Sequence, residues 1–304
     1  MTTIVLLRGL MRDSRHWYGF DELLSQQTAL SLFNVICVDL PGNGTLVTQK
    51  SPIKMADFSA AVWQQIDAAL FAQHKRPEQT QLLLVGLSMG GMLALTMAAQ
   101  CPERVKQVVL INSSAANLSP WYQRFQLGGL LVSLAKVLTS AIQNRVASSQ
   151  PQKPHHWLEA TVLAFTSQQL AQHSQVIVAW SELRQQCHTS FSNGLRQIYA
   201  SARFDCPVLT GVSVMVVVGN QDKLADPKCS EQLAQFYQAQ LHQINDCGHD
   251  VSLDQPQQLL QIINGIGIKL ALPFINIVLP GVGRKVDKGA NHILLITARQ
   301  IHCP

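Results

Sequence analysis

The sequence predicts an α/β fold: a mainly parallel sheet with helices on both faces and a helical insertion after the fourth strand. Three observations predict it. Short β-branched and aliphatic runs alternate with stretches whose apolar residues recur at helical spacing. The connections between the runs are long enough to be crossover helices, which parallel pairing requires. One run passes directly through Gly86-Leu87-Ser88-Met89-Gly90 into a helix, a strand-to-helix turn crowded with small residues.

Residues 4–7 form the first such run and end at Arg8-Gly9; residues 33–38 form the second and end at Asp39-Leu40-Pro41-Gly42. Both read as buried strands followed by loops. Between them Trp17, Phe20, Leu23 and Leu24 have helical spacing, as do Phe58, Val62, Ile66, Ala69 and Leu70 before the third run at residues 82–87. A helix is expected over 92–99, stopped near Pro102, then a strand over 105–111. Further on, a strand is expected over 212–218, a helix over 229–237, a strand over 241–244 and a helix over 256–263. Alternation breaks between Asn117 and Phe204, where Leu130, Leu131, Leu134, Val137 and Leu138 give an amphipathic helix and more helical stretches follow. The expected organisation is therefore a core of residues 1–117 and 205–264, a helical cap of 118–204 over the strand ends, and an atypical tail of 265–304.

The chain has 304 residues, 47% hydrophobic and 13% charged, which is enough to bury a large core and excludes a disordered chain. Its formal charge of +5 is uneven. Residues 118–204 carry seven basic side chains against Glu159 and Glu182, and the tail carries five against Asp287, while the rest is net acidic. The basic segment suits an acidic ligand or carrier. No Lys/Arg run interleaves with aromatics, so nucleic acid is not an expected partner. Residues 266–282 are apolar but interrupted by Lys269, Pro273 and Pro280, a poor membrane span. Seven cysteines without a CxxC pair, and an N-terminus without a basic region and apolar core, fit a reducing compartment, so a cytoplasmic protein is expected. His155 and His156 are adjacent rather than one helical turn apart, and no phosphate-binding glycine loop is present, so neither metal nor cofactor is expected.

The chemistry is read from three loops. A serine that attacks a carbonyl must stand clear of the sheet on a strained turn, with a helix N-terminus beside it to supply N–H groups for the oxyanion. Ser88 occupies that place. A serine hydroxyl needs an adjacent base that is itself oriented by a third group. Asp222, in Gly219-Asn220-Gln221-Asp222 after the fifth run, and His249, in Asp246-Cys247-Gly248-His249-Asp250 after the sixth, supply both in the chain order Ser, Asp, His. Asp226 is the rival acid, but it precedes Pro227 and reads as a helix cap.

With these stretches, and with Leu7-Arg8-Gly9-Leu10, Asp39-Leu40-Pro41-Gly42-Asn43-Gly44 and Pro102-Glu103-Arg104-Val105, the chain resembles the α/β-hydrolase fold superfamily over residues 3 to about 264. It is similar to its small capped serine hydrolases, among them pimeloyl-carrier-protein methyl ester esterases and the menaquinone-pathway lyase. The resemblance implies cleavage of a carboxylic ester or thioester through an acyl-enzyme, with the backbone N–H groups of Leu10 and Met89 as the oxyanion hole. It also implies a small-molecule ester substrate, presented in some relatives on an acidic carrier protein. Arg8, Trp17 and Arg124 are the candidate substrate-binding side chains. Arg8 stands where relatives carry His, which changes the local hydrogen bonding and charge. Two alternatives stay open: a lyase that uses the same triad to abstract a proton, and a catalytically silent binding protein on this fold.

Overall fold

The computed structural model describes residues 2–26, 33–126, 154–169 and 174–271 of the chain. Six strands, β1 Thr2–Leu7, β2 Phe33–Val38, β3 Leu82–Leu87, β4 Val105–Ile111, β5 Ser213–Gly219 and β6 Gln240–Ile244, form one sheet in the order β2-β1-β3-β4-β5-β6. Every pairing is parallel. All loops that leave the C-terminal strand ends therefore gather at one edge, where open α/β sheets place their sites.

Alternate residues of each strand feed opposite faces. Val5 and Leu7 of β1 and Leu82 and Leu84 of β3 join one core with α2 (Ser59–Ala72), α3 (Met89–Gln100) and α8 (Pro227–Phe236). Ile4, Leu6, Leu83 and Val85 join the other, with Trp17, with α1 (Phe20–Gln26) and with α10 (Pro256–Ala271). Burying each large aliphatic side chain contributes about 1.5–3 kcal/mol, so the two layers outweigh any single polar contact in holding the fold.

The helical spacing from Trp17 to Leu24 is split in the structure. A 3-10 turn, Ser14–Trp17, ends where Tyr18 and Gly19 both take positive φ (51° and 83°), and α1 starts afresh at Phe20. The third helix begins at Met89 rather than Met92, directly after the serine. At the far end α10 runs on to Ala271, past the core boundary expected at residue 264. A short helix, α9 (Val251–Asp254), follows His249 and has no clear periodic signal in the sequence.

Between β4 and β5 lie α4 (Trp121–Arg124), α5 (Pro154–Thr166), α6 (Ser174–Gln186) and α7 (Phe191–Ala202). The helix expected around Leu130 to Leu138 and the rest of the tail lie outside the described residues. The insertion is tied to the loops after β1 and β2. Buried Glu159 of α5 accepts from Arg12 at 2.8 Å and from Arg184 at 3.2 Å, and Arg12 lies over the Trp180 ring at 4.4 Å. From α7, Gln197 accepts from the Met11 N–H (2.9 Å) and donates to Asn43 (2.8 Å), and Asn193 accepts from the Ser51 N–H (2.9 Å).

Candidate active site

β3 delivers Ser88 at φ 57° and ψ −118°, outside the ordinary regions for a non-glycine residue and costing about 1–3 kcal/mol of local strain. The flanking glycines explain how the chain turns there. A Cβ on Gly86 would lie 2.4 Å from the Gly90 backbone, and one on Gly90 would lie 2.1 Å from the Leu7 carbonyl oxygen. The turn is locked by the Ser88 N–H donating to the Ile111 carbonyl (2.8 Å) and by the Ser88 carbonyl accepting from Gly91 N–H (2.9 Å) and the Ser113 hydroxyl (2.9 Å).

β5 ends at Gly219, and the loop beyond it presents Asp222, which is 6% exposed. Its Oδ1 accepts from the Leu224 and Ala225 N–H groups (2.8 and 3.1 Å), leaving Oδ2 for His249 Nδ1 at 2.7 Å. Asp226 instead caps α8 by accepting from the Lys228 N–H at 3.0 Å. The Asp222 contact fixes the imidazole ring by one nitrogen and leaves Nε2 as the atom able to exchange a proton.

Ser88 and His249 line one small cavity together with Leu10, Met89, Met92, Asn112 and Arg124. At about 30 Å³ it has room for a group the size of water. Met89 opens α3, so its N–H has no acceptor within the helix. A wider groove of about 760 Å³ runs along β6 and the start of β5 and carries none of the sequence-selected residues.

The three cationic and aromatic candidates separate. Arg124 does line the Ser88 cavity. It is buried, and it donates to the Ser201 and Ala202 carbonyls (2.5 and 2.8 Å) and the Ser114 hydroxyl (3.3 Å), all neutral partners. Burial lowers its pKa from the usual arginine value. Arg8 and Trp17, expected as substrate contacts, lie elsewhere. Arg8 is 2% exposed and turned onto Asp250, with Nη2 to Oδ2 at 2.6 Å and Nη1 to Oδ1 at 3.2 Å. Trp17 is 1% exposed within the second core, with the guanidinium of Arg8 4.9 Å from its ring. In the structure the Arg8 guanidinium is held by the buried carboxylate of Asp250, directly after His249, and neither Arg8 nor Trp17 lines the Ser88 cavity.

Sequence reading missed Asn112, at the end of β4, whose amide donates to the Gly248 and His249 carbonyls (3.0 and 2.8 Å) and accepts from the Gly219 N–H (2.9 Å). It also missed Asp254, which accepts from the Gly248 N–H at 2.7 Å and from the hydroxyl of Ser167. A polar residue just past an apolar strand is the only sequence signal for Asn112. Among the described residues no three His, Cys, Asp or Glu side chains gather as metal ligands, the cysteines are free, and no helix is long and apolar enough to cross a membrane.

A parallel sheet of this order, with a serine at a strained strand-to-helix turn and an acid–histidine pair on later strand ends, defines a class of hydrolytic fold. The chain matches the Alpha/beta hydrolase family over residues 4–262 and belongs to it. Among curated proteins it is similar to a pimeloyl-[acyl-carrier protein] methyl ester esterase of Nitrosomonas europaea, 25% identical over 276 residues, covering 86% of this chain and 94% of the relative. Among solved structures it is similar to a thermophilic esterase from Thermogutta terrifontis (TM-score 0.59, 21% identity, 89% and 90% of the two chains). It is also similar to the enol-lactonase from Burkholderia xenovorans (TM-score 0.61, 18% identity, 87% and 90%). These structural likenesses show the fold. The family match and the curated esterase relative support a hydrolase of the α/β-hydrolase type.

Proposed function

We propose that the protein is a serine hydrolase that cleaves a carboxylic ester or thioester through an acyl-enzyme. Ser88 attacks the carbonyl, and His249 Nε2 takes its proton and passes it to the leaving group. Asp222 holds the ring and stabilises the imidazolium, and the N–H groups of Leu10 and Met89 receive the oxyanion. A water then enters, loses its proton to His249 and releases the acid. The observation that carries this reading is the 2.7 Å contact of Asp222 with His249, whose ring lines the same cavity as Ser88.

The substrate in this reading is a small-molecule ester. Residues 118–204 act as a cap, and Arg124, a buried cation among neutral partners, receives an anionic group of that substrate. The name of the Nitrosomonas relative supports presentation on an acyl-carrier protein, and the basic composition of the cap segment suits an acidic carrier. Free thiols suit a cytoplasmic setting.

The test is hydrolysis of p-nitrophenyl esters of graded chain length beside a methyl-ester dicarboxylate on a carrier protein. The reading expects turnover of at least one, abolished in Ser88→Ala, and preferred cleavage of the carrier conjugate. Rapid cleavage of short neutral esters alone would remove the carrier, and no turnover of any ester by folded protein would shift the case to proton abstraction without hydrolysis.

A further inference from the structure

Resting on the roles proposed for Ser88 and His249, we infer that Arg8 and Asp250 form a positioning clamp that holds the loop after β1 and the loop after β6 in one register around the serine. β1 and β6 are separated in the sheet by β3, β4 and β5, so no ladder of strand hydrogen bonds couples them. The two loops nevertheless carry parts of one site: Leu10, an oxyanion donor, lies two residues after Arg8, and His249 immediately precedes Asp250. The clamp closes that gap directly.

Its geometry is two-pronged. Nη2 and Nη1 of Arg8 meet the two oxygens of Asp250 at 2.6 and 3.2 Å, and Nη1 also reaches the Ser252 hydroxyl at 3.2 Å. Ser252 in turn donates to Asp250 Oδ1 at 2.8 Å, and Trp17 packs against the guanidinium. A fork of this kind fixes orientation as well as distance. On the Arg8 side the register passes to the serine through Gly9, where an added Cβ would lie only 3.2 Å from Ser88 Cβ. On the other side Asn112 holds the Gly248 and His249 carbonyls toward β4, and the Thr166 carbonyl accepts the Asp250 N–H at 2.8 Å. Among the described residues the other long-range hydrogen bonds of the histidine loop run toward β4, α5 and the loop after β5, and those from Arg8 are the ones that reach it from the loop after β1.

Stability alone does not call for this pair, because a buried ion pair can usually be exchanged for apolar side chains of similar volume at little cost. That exchange provides the test. In the double variant Arg8→Met/Asp250→Leu, the thermal midpoint stays near that of the wild type. The saturating rate at which a fluorophosphonate probe labels Ser88 drops about tenfold to a hundredfold, the scale expected for reacting groups displaced by an ångström, while the apparent affinity for the probe is unchanged. Arg8→Lys keeps the charge but loses the fork, and it too labels slowly, which separates positioning from charge. If either variant, folded, labels at the wild-type rate, the clamp is wrong. Should the double variant not fold, Arg8→Lys and the milder Ser252→Ala decide the question by the same comparison. A folded wild type that does not label overturns the serine-hydrolase reading and the clamp together. A wild type that labels, with equally fast clamp variants, overturns the clamp alone.

Discussion

The side-chain amide of Asn112 holds the backbone of His249: its Nδ2 donates to the carbonyls of residues 249 and 248 at 2.8 and 3.0 Å, while its Oδ1 accepts from the Gly219 N–H. One amide thus joins the end of β4 to the end of β5 and to the loop that bears the imidazole. Its own backbone has φ 45°, a conformation that Asn tolerates better than branched or bulky residues do. Asn112→Leu leaves three buried backbone groups without their partner, at about 1–3 kcal/mol for each group not rescued by water. Urea unfolding should show a loss of that order, with activity falling further than the folded fraction. Equal losses of fold and activity would limit Asn112 to a structural role.

The two acids after β5 should behave oppositely. Asp222→Ala removes the group that orients His249 and should lower the turnover rate by about 10⁴. Asp226→Ala removes the α8 cap and should cost about 1 kcal/mol of stability with turnover intact. Paired measurements of ester turnover and denaturation midpoint distinguish them; a dead Asp226→Ala beside an active Asp222→Ala would reverse the assignment.

Glycines in this chain are not equivalent. Gly90→Ala drives a Cβ to within 2.1 Å of the Leu7 carbonyl, a backbone atom in the central sheet, and should cost more than about 3 kcal/mol or prevent folding. Gly265→Ala, within α10 and facing open space, should stabilise by about 0.5–1 kcal/mol. Denaturation midpoints of the two variants check both signs.

Acid should weaken the fold in part through Asp250. Burial pushes its carboxyl group up, but the charge and hydrogen bonds of Arg8, with the bond from Ser252, outweigh burial and hold it below the ordinary value of 3.8. The unfolded chain then takes up this proton first as pH falls, so the contribution is complete above about pH 4 and is lost as the pH drops toward the folded-state value. Between pH 7 and pH 3 the wild-type thermal midpoint should fall further than that of Arg8→Met/Asp250→Leu. Parallel curves would mean that Asp250 is not protected by the pair.

The alternation of strands and helices was legible because the inner strands are largely buried and so read as mainly apolar runs, residues 82–87 and 105–111 coinciding with β3 and β4, whereas the edge strand β6 is mostly exposed and its polar residues give a weaker signal. Ser88, Asp222 and His249 were legible because glycine-rich turns punctuate those runs at their C-terminal ends. The break at Tyr18 was hidden, since helical spacing carries no mark of a left-handed residue. The partners of Arg8 and Asn112 were hidden for a different reason. Each contact spans more than a hundred residues, and nothing local tells an arginine that faces substrate from one that faces Asp250.

Fluorophosphonate treatment followed by peptide mapping in a mass spectrometer tests the central claim most directly. The account predicts one adduct, on Ser88, formed quickly in the wild type, slowed at least about a thousandfold in His249→Gln, and absent in Ser88→Ala. A folded wild type that carries no adduct, or carries it on another residue, would contradict it.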